Sequence, residues 1–465
     1  YEDEKRALVY KKLTENWDVP IIATTAVQML NTLFSSQKSS IRRMYNLCNS
    51  VIIFDEVQAF PVKGTELFNL AVNFLAEFCS TTVILCSATQ PSLARLRENN
   101  LYDCAEMTGS VSRYAEAFQR VEIEDKTDLV PGGMEPLDLG KFALEAFQEY
   151  GSVLIVVNTK RCAKQVYRSL RESGGDTYSL YHLSTSMCPE NRREELREIK
   201  EKLKNGEPVI CVSTQLIEAG VNVSFGCVIR SLAGLDSIVQ AAGRCNRHKE
   251  LEMGKVYIVK MSQEAENLNN LYDIKAAQKA SDKFLYHFKV HPECFDNRID
   301  SEQAVTAYYK EYFRDAGAAP TKYPSKKYVG TTLEELLSRN HPASSQYKRR
   351  HEGASPPFLR QAFRAAGEDY EVIPESAKVT VVIPYDDAAR RNIEVLEDRF
   401  APAAEQKKAI RILQRYSVGI SESQMRELGQ AIHKVGETEI LVLSMDYYDR
   451  KEGVLEEPQN RFLNF

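Results

Sequence analysis

The chain has 465 residues, a formal net charge of −5, 43% hydrophobic and 27% charged residues, the balance of an ordinary soluble polypeptide long enough for about three domains of roughly 100–200 residues. No apolar run approaches the roughly 20 residues that cross a bilayer, and the polar start Tyr1-Glu-Asp-Glu-Lys-Arg lacks the apolar region of a secretory signal, so a cytoplasmic protein with no membrane contact is expected. The ten cysteines are scattered without a Cys-x-x-Cys pair, and His287-x-x-x-His291-x-x-Cys294 lacks a fourth ligand, so these residues read as reduced thiols and ordinary polar side chains rather than a metal site.

Taken along the chain, the first chemistry-bearing groups are Thr24, Thr25 and Gln28, which follow the short apolar Pro20-Ile-Ile-Ala. Hydroxyls and amides in such places suit the phosphate oxygens of a nucleic-acid backbone, and equally suit the cap of a following helix. Residues 50–56 read as a buried strand ending in the carboxylates Asp55 and Glu56. Residues 64–79 carry apolar side chains at helical spacing, and residues 82–86 form a second apolar strand running into Ser87-Ala88-Thr89. Strand, helix, strand with chemistry at the strand ends predicts a parallel sheet with sites at its carboxyl edge.

An aspartate at such an edge can hold Mg²⁺ through water, and the adjacent glutamate can orient and deprotonate the water that attacks a γ-phosphate. Asp55 and Glu56 fit those roles, although an isolated pair fits a solvated strand end as well. Gln58 is placed to bridge two lobes, and Ser87, Ala88 and Thr89 to relay nucleotide state, with plain capping the alternative for the two hydroxyls.

The strand–helix rhythm restarts near Val121. It predicts strands at 153–157, 178–183, 208–213, 227–231 and 255–259, alternating with helices at 160–171, 189–204 and 235–247. Residues 125–138, with Pro131-Gly-Gly and Pro136, read as an exposed loop. Ser213, Thr214 and Gln215 stand at a strand end, again as backbone-phosphate contacts or caps. Arg244 and Arg247, three residues apart on the expected 235–247 helix, would share a face with Gln240 one turn earlier, and the small Ala241, Ala242 and Gly243 permit close packing. Arginines so placed can reach a transferring phosphate, an effect worth about 10³ to 10⁵ in rate, and their position in a second lobe would make the site assemble only on closure.

Beyond Met261 an amphipathic helix is expected over 264–288, then a loop-rich segment with Pro320, Pro324, Pro342, Pro356 and Pro357. A β-type run at 378–385, a helix at 401–414 and a strand at 440–444 follow. The fold class expected is α/β: two RecA-like parallel-sheet lobes, the first incomplete, then a helical connector and a small α+β carboxy-terminal domain. The corresponding boundaries are 1–118, 119–262, 263–370 and 371–465.

The segments Trp17-Asp-Val-Pro-Ile-Ile-Ala-Thr-Thr25-Ala-Val-Gln28, Val51-Ile-Ile-Phe-Asp55-Glu56-Val-Gln58-Ala-Phe-Pro61, His182-Leu-Ser-Thr-Ser-Met-Cys-Pro189, Ser213-Thr-Gln-Leu-Ile-Glu-Ala-Gly220 and Gln240-Ala-Ala-Gly-Arg-Cys-Asn-Arg247 together resemble the helicase-nuclease of type I CRISPR systems, a superfamily 2 helicase. The resemblance is dense from Trp17 to Arg247 and looser after it. It implies ATP and Mg²⁺ as cofactors, with Asp55, Glu56, Gln58, Arg244 and Arg247 catalytic, and Gln240, Gly220, Asn222 and Gly243 at the nucleotide. It also implies single-stranded DNA as substrate, nicked and reeled in 3′ to 5′, and the CRISPR surveillance complex as partner.

The histidine–aspartate nuclease domain that the resemblance implies, with its divalent metals, is not in this sequence, which has no His-Asp dipeptide. Nor does a Gly-x-x-x-x-Gly-Lys-Ser/Thr phosphate loop precede Asp55, so the chain is expected to start within the first lobe and to hydrolyse little ATP alone. Asn222 and Ser224 stand where the family usually has Asp, and Gln58 where it often has His. Two rival readings are another superfamily 2 helicase acting on RNA or in repair, and a non-catalytic module that binds DNA or the surveillance complex.

Overall fold

The apolar, β-branched runs at 51–54 and 82–85 become β1 (Val51–Phe54) and β2 (Thr82–Leu85), paired in parallel with Val51 opposite Thr82 and Phe54 opposite Leu85. Between them runs the helix Thr65–Phe78, whose Phe68, Val72 and Leu75 pack with Phe54, Val57, Met29, Leu30 and Trp17. Phe54, Phe60 and Phe68 meet edge-to-face, with ring centroids 5.0 to 5.8 Å apart. The other face of β1 is bare, with Val51 and Ile53 64% and 62% exposed.

The computed structural model describes residues 12–459 except 61, 90–92, 94, 95, 97, 110–113, 115, 116, 174–176, 316–320, 356, 357, 359 and 373–377. The expectations at residues 1–6, Pro61, Pro320, Pro356 and Pro357 lie outside the described residues. The chain divides into two units, Tyr1–Ser112 with Glu302–Ser376, and Arg113–Ser301 with Ala377–Phe465.

In the first unit the later stretch is helical, with helices Glu302–Asp315, Leu333–Leu337, His341–Arg350 and Phe363–Asp369. It is tied to the Thr65–Phe78 helix by Glu66, a carboxylate 1% exposed that accepts the Thr321 hydroxyl at 2.6 Å and the Asn99 amide at 2.7 Å. Leu67 adds apolar contact with Tyr323, Leu333 and Leu336.

The second unit is built on a six-stranded, wholly parallel sheet in the order β3-β8-β7-β4-β6-β5. The strands are β3 (Val121–Asp125), β4 (Ser152–Val156), β5 (Ser179–Leu183), β6 (Val209–Ser213), β7 (Cys227–Ser231) and β8 (Gly254–Val259). Every residue of β6 and β7 is buried, because helices cover both faces, as a parallel sheet requires. Val153, Ile155, Ile210 and Ile229 pack under the helices Pro136–Tyr150 and Lys160–Ser173. Leu154, Val156, Cys211 and Val228 face Ile199, Ile217, Ala241 and Ala242.

Three sequence expectations change here. The predicted loop is shorter, since Pro136 starts a helix whose first turn is closed by a reciprocal Glu135–Asp138 capping box. The helix expected over 235–247 ends at Ala242: Asn246 takes φ +44°, and its side-chain amide bonds the Arg120 and Leu251 carbonyls, turning the chain off the helix axis. The helix expected from 264 begins at Tyr272, because Glu266 is drawn onto the sheet edge, accepting the Asn158 backbone and amide N–H at 2.5 and 2.7 Å and the Ser231 hydroxyl at 2.7 Å.

The same unit holds a four-stranded sheet, order β10-β9-β12-β11, from β9 (Lys378–Val382), β10 (Ser417–Ser421), β11 (Ile432–Lys434) and β12 (Leu441–Leu443). Its core includes Tyr385, Leu413 and Tyr416 and reaches Cys188 at the start of the Pro189–Lys204 helix. A final hairpin, β13 (Tyr448–Asp449) and β14 (Gly453–Val454), fastens this sheet to the larger one. The Tyr448 hydroxyl donates to Asn191 at 2.8 Å and accepts the Cys188 N–H at 3.0 Å, and Lys451 pairs with Glu195 at 2.9 Å. Gly453 has φ +78°, and a Cβ there would lie 2.4 Å from the Ser186 carbonyl oxygen, so only glycine fits.

Glu452, at the hairpin tip, faces Arg168 at 2.6 Å and Lys164 and Arg171 at 3.4 Å, with its own side chain 6% exposed. Burial alone would raise this carboxyl, but the hydrogen bond from Arg168 and the surrounding cations outweigh it and hold the pKa below the ordinary carboxylate range. A depressed native pKa gives stability that is present above the unfolded value of about 4.3 and lost as pH falls through the lower native value. Glu452→Gln is therefore expected to cost about 1–3 kcal/mol at neutral pH. The difference from wild type should shrink as pH falls through the native pKa, which unfolding midpoints measured across a pH series will check.

Candidate functional site

In the first unit the carboxyl ends of β1 and β2 lie side by side, which brings residues 55–58 against residues 86–89. The Val57 N–H donates to the Cys86 carbonyl at 3.2 Å. Asp55 and Glu56 are both exposed. Asp55 Oδ1 accepts the Glu56 N–H at 3.0 Å, and Glu56 adopts φ +52° and ψ +47°, a left-handed conformation uncommon for a residue with a Cβ. That turn starts the short 3₁₀ segment Val57–Ala59 and points Gln58 back at Glu56, whose carboxylate accepts the Gln58 amide.

The Gln58 carbonyl oxygen in turn accepts the Ser87 hydroxyl at 2.5 Å, and Ser87 Oγ accepts the Thr89 N–H at 3.1 Å. Gln58 thus joins the acidic pair to the Ser87-Ala88-Thr89 turn within one unit. Ala88 is exposed, whereas Thr89 is 1% exposed with no partner for its hydroxyl among the described residues. Its carbonyl lies 3.5 Å from the Tyr309 hydroxyl, a contact that sequence patterns gave no sign of.

Thr24, Thr25 and Gln28 are all exposed. Thr25 caps the helix Ala26–Phe34, accepting the Gln28 N–H at 3.3 Å, as its alternative reading required. Gln28 Oε1 accepts Arg43 at 2.8 Å, and the Arg43 guanidinium lies 5.0 Å from the centre of the Trp17 ring. Arg43 therefore belongs to this surface and was missed, because the Arg42-Arg43 pair stands in none of the motifs.

In the second unit, residues 214–224 run from the carboxyl end of β6 towards the amino end of β7, where Phe225 pairs with Cys245 and its N–H donates to the Arg244 carbonyl at 2.9 Å. Glu218, 6% exposed, forms an ion pair at 2.9 Å with the fully buried Arg230 and accepts the Ser237 hydroxyl at 2.8 Å. Burial raises the Glu218 carboxyl, against the opposing pull of Arg230 and Ser237. Arg230 also donates to Ser237 at 2.8 Å and to the Ser231 and Val156 carbonyls at 2.8 and 3.3 Å. An arginine inside an apolar strand was the available signal for this cluster, since a charge there requires a partner.

Ser213 is fully buried and its hydroxyl donates to the Leu183 and Thr214 carbonyls, so it presents nothing to a ligand, while Thr214 is buried and Gln215 half-buried. Gly220, at φ +70°, makes the turn that leaves Asn222 exposed. Ser224 accepts the Arg247 N–H at 2.9 Å. Gln240 is half-buried in the last turn of the helix Leu235–Ala242, which Gly243 caps.

Arg244 and Arg247 lie beyond that helix and differ in kind, which corrects the expectation of one shared helical face. Arg244 is 8% exposed and its guanidinium donates to the carbonyls of Ile217, at 2.9 Å, and of Glu218. Arg247 is half-buried and its guanidinium makes no ion pair among the described residues. Among the described residues no group of three or more His, Cys, Asp or Glu side chains could enclose a metal ion, and none of the helices is long and apolar enough to cross a membrane. All ten cysteines are free.

The acidic residues and the Ser-Ala-Thr turn thus stand together at the carboxyl edge of one parallel sheet, and the arginine-bearing segment stands beside another. Residues 149–250 match the family model described as CRISPR-associated nuclease/helicase Cas3, C-terminal. A CRISPR-associated nuclease/helicase Cas3 of Haloferax volcanii is 26% identical over 320 residues, covering 51% of this chain and 34% of the relative. The crystal structure of T. fusca Cas3 with ADP superposes with a TM-score of 0.59 at 16% identity, over 90% of this chain and 54% of that one. A chain of a CRISPR RNA-guided surveillance complex in its pre-nicking state gives 0.56 at 16% identity, over 93% and 58%. The chain thus spans about a third of that curated relative and little more than half of those solved chains. Together these likenesses support a CRISPR-associated helicase of the Cas3 kind, as the sequence resemblance implied.

The different surroundings of the two arginines give a test. Arg244→Ala leaves two buried carbonyls without donors and is expected to cost about 1–3 kcal/mol of stability, whereas Arg247→Ala should change it by no more than about 0.5 kcal/mol. Urea unfolding of both variants checks the difference.

Proposed function

We propose that this chain is the motor portion of a Cas3-type helicase-nuclease, a cytoplasmic enzyme that uses ATP to move along single-stranded DNA. The strand concerned is the one displaced when a guide-RNA surveillance complex pairs with its target. The observation that carries the reading is the chain of contacts Glu56–Gln58–Ser87–Thr89 at the carboxyl edge of β1 and β2. Such a chain ties the candidate water-activating group to the segment best placed to sense its state.

The residues fit a magnesium nucleotide. Asp55 is exposed, and its Oδ2 has no protein hydrogen bond among the described residues, which suits a hydrated Mg²⁺ held through water rather than an enclosed metal cage. Bound Mg·ATP would supply the γ-phosphate and the charge that neutralises its oxygens in transfer. Glu56 is assigned to orient the attacking water and take its proton. Gln58 holds the Glu56 carboxylate in place. In the second unit, Arg247 is assigned to the phosphate and Arg244 to positioning, because Arg244 braces the turn that carries Gly220 and Asn222. Gln240 and Gly243 are assigned to the nucleotide.

Thr24, Thr25, Gln28, Thr214 and Gln215 are assigned to the DNA backbone, whose phosphates are the same in every sequence, so binding is expected to tolerate any base order. Nuclease chemistry is assigned to a part of the whole protein that this chain does not carry, since the sequence has no His-Asp dipeptide.

The test is ATP turnover with and without single-stranded DNA, alongside Glu56→Gln. In protein that includes a phosphate-binding lysine, DNA should stimulate turnover and Glu56→Gln should lower it by at least about 10², the scale of a lost general base. This polypeptide alone, lacking that lysine, should bind DNA while hydrolysing little ATP. Turnover insensitive to Glu56→Gln would remove Glu56 from the mechanism, and failure to bind single-stranded DNA would remove the motor reading.

A further inference from the structure

The helix Pro189–Lys204 has sixteen residues, Pro-Glu-Asn-Arg-Arg-Glu-Glu-Leu-Arg-Glu-Ile-Lys-Glu-Lys-Leu-Lys, and its alternating charges suggest a uniformly mixed surface. The structure sorts them. Glu195 faces Lys451, Glu194 accepts the Tyr385 hydroxyl, Glu198 accepts the Tyr181 hydroxyl at 3.4 Å, and Glu190 pairs with Arg193. Those four carboxylates are taken up by the body of the unit or by the helix itself, and the fifth, Glu201, is exposed and is not a groove-lining residue.

Arg192, Arg197 and Lys200 border another side, and none forms an ion pair among the described residues. With Arg193, and with Glu194 whose carboxylate is held by the Tyr385 hydroxyl, they line a groove of about 700 Å³ whose opposite wall is Leu216, Ala219 and Val221, the turn that leads to Asn222. Arg192 is half-buried, and loss of hydration pushes its pKa down, the condition of a cation without a strong counter-charge. The groove has no aromatic lining residue, so it offers no platform for stacked bases.

From this arrangement we infer that the groove between the Pro189–Lys204 helix and residues 216–221 is a binding track for the sugar–phosphate backbone of a single nucleic-acid strand, with Arg192, Arg197 and Lys200 as its phosphate contacts. The inference rests on the DNA-motor reading and extends it to residues outside the motifs that suggested it. Three cations spaced along about two turns of helix span roughly 12 Å at 1.5 Å rise per residue, a length that accommodates successive phosphates of an extended strand. Apolar contact from Leu216 and Val221 fits the sugars, and contacts made to phosphate and sugar predict sequence-independent binding.

The experiment is fluorescence anisotropy with labelled oligothymidylate over a salt series. It compares wild type, the triple variant Arg192→Ala/Arg197→Ala/Lys200→Ala, and a charge-matched control, Lys407→Ala/Lys408→Ala/Arg411→Ala, on the exposed side of the Ala403–Leu413 helix. Unfolding midpoints confirm that each variant is folded. Arg192→Lys/Arg197→Lys keeps the charges and should bind as wild type does; should the triple variant unfold, Arg197→Ala/Lys200→Ala, at two exposed positions, replaces it with proportionately smaller losses.

For three phosphate contacts the slope of log K against log salt should fall in magnitude by about 2 in the triple variant, at roughly 0.7 per contact for single strands. Affinity in low salt should drop at least tenfold, while the control and the lysine variant stay within threefold of wild type. Wild-type affinity and slope in a folded triple variant, or an equal loss in the control, would overturn the track while leaving the DNA reading intact. No oligothymidylate binding by wild type would withdraw both. Competition by oligo-aspartate as effective as that by unlabelled oligothymidylate of equal charge would reassign the groove to an acidic polypeptide, and so also overturn the inference.

Discussion

The second unit depends on one buried contact, the Glu218–Arg230 pair. Taking two charges out of water costs several kcal/mol per ion and is offset only when the geometry and the remaining hydrogen bonds are right. Here Arg230 lies fully buried within β7, between Ile229 and Ser231, and its guanidinium meets Glu218, Ser237 and two main-chain carbonyls. The consequence is positional rather than energetic. Glu218 must stand above the end of β7, so the preceding turn 215–217 has one place to go. Arg244 then fastens the carbonyls of Ile217 and Glu218 from the segment beyond the Leu235–Ala242 helix. Gly220 and Asn222 on one side and Gln240 and Arg247 on the other take their places relative to this pair, and the groove wall at Leu216, Ala219 and Val221 does as well.

The legibility of the sequence follows from the same physics. Five strands of the six-stranded sheet could be read within a residue or two because parallel strands covered on both faces are continuous aliphatic runs, as in Val209-Ile-Cys-Val-Ser213, whereas the edge strand Val121–Asp125, with its alternating charges, was not. The Pro189–Lys204 helix was read to its ends because proline opens it and glycine follows it. The 235–247 segment was overextended, since its small residues continue a helical pattern while a side-chain amide, that of Asn246, decides the turn through contacts 5 and 126 residues away. Likewise nothing in 264–271 announces that Glu266 bonds Asn158, 108 residues earlier. Motif residues were legible as a set, but their division into exposed and buried was not. Ser213 and Arg244 look like ligand contacts in the sequence and are braces in the structure, a distinction that only burial and hydrogen-bond partners can make.

Charge sorting in the second unit links its core to its surface. A helix that carries both signs at similar density has no preferred side until tertiary contacts select one. The hairpin Tyr448–Val454 makes that selection by bringing Lys451 to Glu195, while Tyr385 takes Glu194. With Glu194 and Glu195 engaged in this way, Arg192, Arg197 and Lys200 of the same helix are left to face the groove. An overall charge of −5 is therefore compatible with a locally cationic surface. The three cations gathered around Glu452 belong to this scheme, since they hold the hairpin tip against the Lys160–Ser173 helix and so keep the sorting in place.

In the first unit the comparable feature is strain. Glu56 is held in the left-handed region at a cost of order 1 kcal/mol, and such a conformation persists only where surrounding contacts over-determine it. Three do so: Asp55 Oδ1 accepts its N–H, Gln58 bonds its carboxylate, and the Val57 N–H is fixed to the Cys86 carbonyl of the neighbouring strand end. Glu56 is exposed and contributes little to the core, so burial does not explain this conformation. The turn instead sends the Glu56 carboxylate back over Gln58, and Gln58 reaches Ser87 with its other amide atom. A glutamine is suited to that place because one end of its amide donates while the other accepts, and the two ends here meet a carboxylate and a hydroxyl. A histidine in the same position could make both bonds only in one neutral tautomer, so the contact between the two strand ends would vary with pH near neutrality; with Gln58 it does not.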